Sequence, residues 1–265
     1  MDPEFKGRFL LHWHEYFGAA ELPITFQYTD NGIQAEPALS SSREWCMVHM
    51  LQRVRDGHSL RFFARSFGCG GGKFSTGYAS KLREHIGQFL SCGIEGEVRG
   101  ERYKHTSDLA EKAMSLTPWY EAPAAHMVFK RWDTLDAHDE PEVVIFFATP
   151  DILSGLCTLA GFDEPVIENV VMAPLGSGCA SLIQYPYAEK RSGRHRAVIG
   201  MFDITARPHV DPAYLTFAVT MERFRQMVNS MDESFLITPA WAHIRKRIQK
   251  ASPKSRRHAV SEVGL

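Results

Sequence analysis

Six apolar residues run without a break from Val143 to Ala148, with Pro141 just before them and Pro150 just after. A strand with one wet face alternates apolar and polar side chains, whereas an unbroken run of this length suits a strand buried on both faces. A chain with such a strand has to supply cover for two faces of a sheet.

The rest of the sequence reads as that cover. Residues 7–20 place Phe9, Leu10, Trp13 and Phe17 at helical spacing, and Leu22-Pro-Ile-Thr-Phe-Gln-Tyr28 alternates up to a turn at Asp30-Asn-Gly32. Ser41 or Ser42 caps a helix through Cys46, His49, Met50 and Arg53, four residues read as one face, closing at Gly57. Leu60 to Arg65 is a strand, and residues 80–92, 106–116, 150–161, 181–189, 221–231 and 238–250 read as helices. Residues 124–132, 168–172, 196–202 and 214–219 read as strands. The two types interleave without a regular βαβ series, which predicts an α+β fold: a single compact domain with a mixed sheet flanked by helices. Residues 1–5 have the look of an expression-vector remnant and are set aside. The domain is expected over 6–250, and 251–265 as a basic, flexible tail.

At 265 residues and 44% hydrophobic the chain can bury a sizeable core. Its longest apolar runs are too short for a bilayer, and residues 1–20 contain no charged-then-apolar leader, which predicts a cytoplasmic protein with no membrane partner. The net charge of −1 hides a basic stretch at 244–258 set against a mildly acidic body. That stretch reads as solvated, and nucleic acid is not the expected partner.

Chemistry concentrates at Arg65-Ser-Phe-Gly-Cys-Gly-Gly-Gly-Lys73, where Gly68, Gly70, Gly71 and Gly72 surround Cys69. Such a cluster implies left-handed backbone or close approach of the main chain to something. A Walker loop would need glycine at Phe67 and serine or threonine at Phe74. The dinucleotide pattern would need glycine at Lys73 or at Ser75. Both fail, which leaves an anion nest or the thiol itself.

The chain has five cysteines and no Cys-x-x-Cys pair, so neither a disulfide framework nor a paired zinc site is indicated. Cys157 lies among Leu153, Leu156 and Leu159, and Cys92 at a helix end; both read as small hydrophobes. Cys69 and Cys179 each stand in a glycine-bearing loop between a strand and a helix, the second within Gly176-Ser-Gly-Cys179, and Cys46 is the natural third.

These residues, with Pro23-Ile-Thr-Phe26, the Glu142 strand, Ala173-Pro-Leu-Gly-Ser-Gly-Cys179 and Arg196-Ala-Val-Ile-Gly200, carry a resemblance over roughly residues 20–245. The chain resembles the uncharacterised proteins grouped as domain of unknown function family one-six-nine. The resemblance implies the arrangement of cysteines and leaves the reaction open.

Three cysteines distant in sequence suit a [4Fe–4S] cluster with one iron open, and zinc is the alternative. The glycines Gly68, Gly70, Gly71, Gly72 and Gly178 would line the cofactor. An open iron would bind and activate a small polar or anionic substrate, in elimination chemistry of a lyase or desulfidase kind, or in oxidoreduction. His49 is the candidate proton shuttle or fourth ligand, and Arg65 and Lys73 the candidates for lowering the Cys69 pKa or holding an anion. Ser177 and Tyr187 are candidate donors beside Cys179. Two other classes stay open: a non-catalytic redox or ligand sensor, and a metal-free anion-binding module. The partners in view are a small molecule and a second copy in a homodimer.

Overall fold

The computed structural model describes residues 1–31, 34–38 and 46–251. In chain order its elements are α1 (Pro3–Phe17), β1 (Ile24–Thr29), β2 (Glu36–Pro37), α2 (Met47–Arg55), β3 (Leu60–Phe62), α3 (Gly70–Ser75) and α4 (Ile86–Phe89). There follow β4 (Gly93–Ile94), β5 (Val98–Arg99), α5 (Ser107–Leu116), β6 (His126–Arg131), β7 (Val143–Ala148), α6 (Pro150–Ala160) and β8 (Val171–Met172). A π-helical turn (Ala180–Gln184) runs into α7 (Tyr185–Ser192), and β9 (Ala197–Gly200), β10 (Leu215–Thr220), α8 (Met221–Asn229) and α9 (Pro239–Ala251) complete the chain.

Eight strands form one sheet in the order β2-β3-β6-β1-β7-β10-β9-β8. Its inner pairings are antiparallel, and the outermost pairs, β2 with β3 and β8 with β9, are parallel. The fold is α+β with a mixed sheet. β7 lies within it, every residue buried, paired to β1 on one side and β10 on the other. Successive side chains of a strand point to opposite faces. Val144, Phe146 and Ala148 accordingly enter one core with α1, α6, α8 and α9, while Val143, Ile145 and Phe147 enter a second core with α2 and α7.

The first core is aromatic. Phe9 is fully buried, with its ring centroid 4.9 Å from those of Trp132 and Phe224, and Trp13 stacks on Phe17 at 4.3 Å. Residues 1–5, read above as a remnant outside the domain, pack onto this core: α1 starts at Pro3, capped by Asp2, and Phe5 is buried against Trp132 and Phe224.

Other departures have local causes. Residues 80–92 hold one helical turn only, α4, entered through a left-handed His85. Only Gly87 and Ser91 of this stretch are buried, and α4 packs so closely on α5 that a Cβ on Gly87 would lie 2.7 Å from Glu111 Cγ. Of the strand expected at 168–172 only Val171 and Met172 pair, because 167–169 coil into a 3₁₀ turn. The cap expected at Ser41 or Ser42 and the basic tail at 252–265 lie outside the described residues.

Candidate functional site

The second core ends, at its α2 edge, in three thiols. Cys46 is the residue before α2, Cys69 the residue before α3, and Cys179 the residue before the π-helical turn. Cys46 and Cys69 occupy the cap positions of their helices, where the first N–H groups have no partner within the helix, and Cys179 lies in the first turn after the Ser177 cap. Their settings grade from Cys179, 8% exposed, through the half-buried Cys46 to the exposed Cys69.

The sulfurs are near enough to act on one another. Burial pushes the Cys46 thiol up, with the amides of His49 and Val48 pulling the other way and Cys69 and Asp203 adding to the rise. Burial, then Cys46, Cys69 and Asp203, hold Cys179 well above the ordinary thiol value. Cys179 is therefore a neutral thiol in the metal-free chain. A bound metal would have to displace its proton.

The glycine stretch departs from the loop that the sequence suggests. Gly70, Gly71 and Gly72 are helical and open α3, and none of them has a positive φ. The left-handed residue of this stretch is Gly77, φ +76, whose Cβ would collide with the backbone of Ala122 and Tyr120. What Gly70, Gly71 and Gly72 provide is room. A Cβ on Gly72 would lie 3.8 Å from Cys179 Sγ, one on Gly71 would lie 3.6 Å from Cys69 Sγ, and beside Gly70 there is open space.

Helix α3 is held by residues that carry no sequence signature. The Tyr28 hydroxyl donates to Thr76 O at 2.7 Å and lies 3.0 Å from the Tyr120 hydroxyl, which reaches Ser75 O at 3.3 Å. These contacts occupy carbonyls at the C-terminal end of a six-residue helix, which could not persist on propensity alone. Tyr187 packs into the same cluster, 4.6 Å from Tyr120 and 5.0 Å from Tyr28 between ring centroids, instead of reaching Cys179 as a donor. Helix α2 is fixed at its far end by Arg55, which makes two bonds to Glu21 and lies 4.2 Å over the Phe147 ring.

The remaining candidates separate. His49 is exposed and its ring meets His209 edge to face at 5.3 Å. Arg53 is half-buried and pairs with Glu36, whereas Met50 is buried, so the face read from Cys46 to Arg53 is split between the surface and the core. Arg65 is exposed and Lys73 half-buried, and neither has an ion-pair partner among the described residues. Ser177 acts as a cap: its Oγ accepts the Ala180 N–H at 3.1 Å and lies 3.5 Å from Ser75 Oγ, tying the Cys179 segment to α3. Gly178 is pressed between Val48 of α2 and Ala206. Cys157 is half-buried beside the first core, and burial alone raises its thiol to about 11. Cys92 is exposed, with Sγ 3.5 Å from Gly93 O.

The residue missed from sequence is Asp203, whose Oδ2 accepts the N–H of Gly178, the residue before Cys179, at 2.9 Å. Among the described residues no group of three or more His, Cys, Asp and Glu side chains is arranged, as it stands, to hold a metal ion. No helix among them is long and apolar enough to cross a membrane.

A family model, that of DUF169, described as uncharacterised ArCR, matches residues 17–230. The chain belongs to this family. The stretch matched to DUF169 takes in the whole sheet and all three thiols and stops short of α9. Neither the curated proteins nor the solved structures contain a match to this DUF169 chain.

Proposed function

We propose that Cys46, Cys69 and Cys179 hold a [4Fe–4S] cluster and that the protein acts on a small polar or anionic molecule bound there. The observation that supports the reading is that three cysteines from distant elements lie near enough for Cys69 to weigh on the Cys46 and Cys179 thiols, with glycines leaving room beside two of them. Loading would have to draw the three together, since they form no metal-holding group as they stand. Soft thiolate donors select iron–sulfur clusters or zinc. Three protein ligands would leave one iron free to act as a Lewis acid in elimination or related chemistry.

The chain's own residues have separable parts in this reading. The half-buried Cys46 and the buried Cys179 supply ligands whose protons leave on loading, and Cys69 supplies the ligand at the solvent side. His49, exposed on α2, and His209, half-buried against it, are the candidates for moving protons at the mouth. Arg65 and Lys73, without an ion-pair partner among the described residues, offer positive charge for an anionic substrate. The exposure of Cys69 favours a second reading, a cluster that senses redox state or a small ligand without turnover. Zinc in place of the cluster is a third outcome of the same assay.

Serine replacement separates the thiols. Cys46→Ser, Cys69→Ser and Cys179→Ser are each expected to abolish the visible absorption of the reconstituted protein, while Cys92→Ser and Cys157→Ser keep it. Iron and acid-labile sulfide assays on the same samples check this. Retention of full iron and sulfide by all three variants overturns the assignment, and stoichiometric zinc without sulfide replaces the cluster by zinc.

A further inference from the structure

We propose that Asp203 is a positioning residue for the thiol site: its carboxylate holds the Gly178 amide and so fixes Cys179 against the end of α2 that carries Cys46. The functional consequence rests on the cluster reading above, while the clamp itself rests on geometry.

All the hydrogen bonds to the Asp203 side chain come from donors. Oδ2 accepts the Gly178 N–H at 2.9 Å. Oδ1 accepts the Thr205 N–H at 2.9 Å, the Thr205 hydroxyl at 2.7 Å and the Tyr103 hydroxyl at 3.2 Å. On the other side of Gly178 the buried Ser181 hydroxyl donates to its carbonyl at 2.9 Å and accepts the Met201 N–H at 3.3 Å. The glycine before Cys179 is thus gripped at both its N–H and its carbonyl.

The backbone leading to Asp203 is strained. Met201, fully buried, has φ +71. A non-glycine residue keeps such a conformation only where its surroundings over-determine it. The turn at Met201 carries the chain from β9 to Asp203, and Ala206, three residues on, packs where a Cβ on Gly178 would lie 2.8 Å from its own Cβ. Cys179 also opens the π-helical turn, a form that concentrates at functional sites. The bond from the Gly178 N–H to Oδ2 puts the Asp203 carboxylate one residue from Cys179 along the chain.

An isosteric change is diagnostic, because asparagine presents an NH₂ group where one of two acceptor oxygens is needed. The test is native-state alkylation by iodoacetamide on the full metal-free chain, followed at each cysteine by peptide mass spectrometry. A protected thiol reacts at a rate set by how often its segment opens. In Asp203→Asn and Asp203→Ala, Cys179 is expected to react about tenfold faster relative to Cys157, the effect of losing one charge-assisted hydrogen bond. Tyr103→Phe removes one Oδ1 donor, spares the Gly178 bond and is expected to leave Cys179 protected.

An unchanged Cys179 rate in both Asp203 variants overturns the clamp. So does an equal rise at Cys157, which would make Asp203 a general stability residue. In the reconstituted protein Asp203→Asn should also move the cluster's reduction midpoint to more positive values, since a negative charge is removed beside it; an unmoved midpoint overturns the placement of that charge. A parent chain that takes up neither iron nor sulfide overturns the cluster reading alone, because the alkylation result is obtained without metal.

Discussion

Gly200→Ala is expected to lower the unfolding free energy by about 3 kcal/mol, the upper end of what overpacking a core costs. A Cβ at this last residue of β9 would lie 2.2 Å from both Cβ and Oγ of Ser181. Serine has no long stem to swing aside, so the backbone of β9 or of the π-helical turn has to move. Ser181 is also the residue that grips the Gly178 carbonyl and the Met201 amide. The same methyl group that destabilises the fold should therefore loosen Cys179. Urea unfolding measures the first effect, and reconstitution of the still-folded fraction measures the second. Wild-type stability together with wild-type iron uptake would contradict the packing described for this edge of the sheet.

Phe9→Ala should cost about 3–5 kcal/mol, in the range for a large aromatic removed from a core that cannot collapse around the gap. The neighbours of Phe9 are themselves large rings: Trp13 at 5.5 Å, Trp132 and Phe224 at 4.9 Å and Phe146 at 6.5 Å between centroids. Planar indole and phenyl groups pinned by one another fill a cavity poorly. Phe9 belongs to the core on the face of the sheet opposite the thiols. Its loss is expected to lower the urea midpoint while leaving metal uptake per folded molecule unchanged, since distant sites add nearly independently. Equal losses of stability and uptake would tie the two faces together more closely than their packing does.

The contrast between these variants also marks what the amino-acid sequence reveals and what it hides. The two-faced burial of β7 is written in Val143 to Ala148, because a strand without polar breaks has no wet side to offer. The helices α1, α5 and α6 follow from apolar spacing and from local signals such as Thr106, whose side chain accepts the Leu109 N–H. Cys69 and Cys179 stand out through their glycine neighbours. The conformation of those glycines does not, because local propensity argues against a helix that tertiary contacts impose. Tyr28 and Tyr120 hold α3 from strand and loop positions that carry no pattern, and their reach appears only once β1 and the segment before β6 are laid side by side.

Asp203 is hidden for the same reason. In sequence it is one acid in a turn after β9. Its importance comes from the distance between its carboxylate and an amide twenty-five positions earlier. His49 illustrates the reverse: helical spacing places it one turn from Cys46, yet its ring lies in solvent against His209. Spacing along a helix fixes which residues are neighbours. It does not fix which of them face a site.

The central claim is the iron–sulfur assignment, and elemental stoichiometry tests it most directly. The full chain, purified without oxygen and reconstituted with ferrous iron and sulfide, is expected to be brown and to hold about four iron and four sulfide per chain after desalting, as a [4Fe–4S] centre requires. A colourless chain holding neither element after the same treatment would contradict the account.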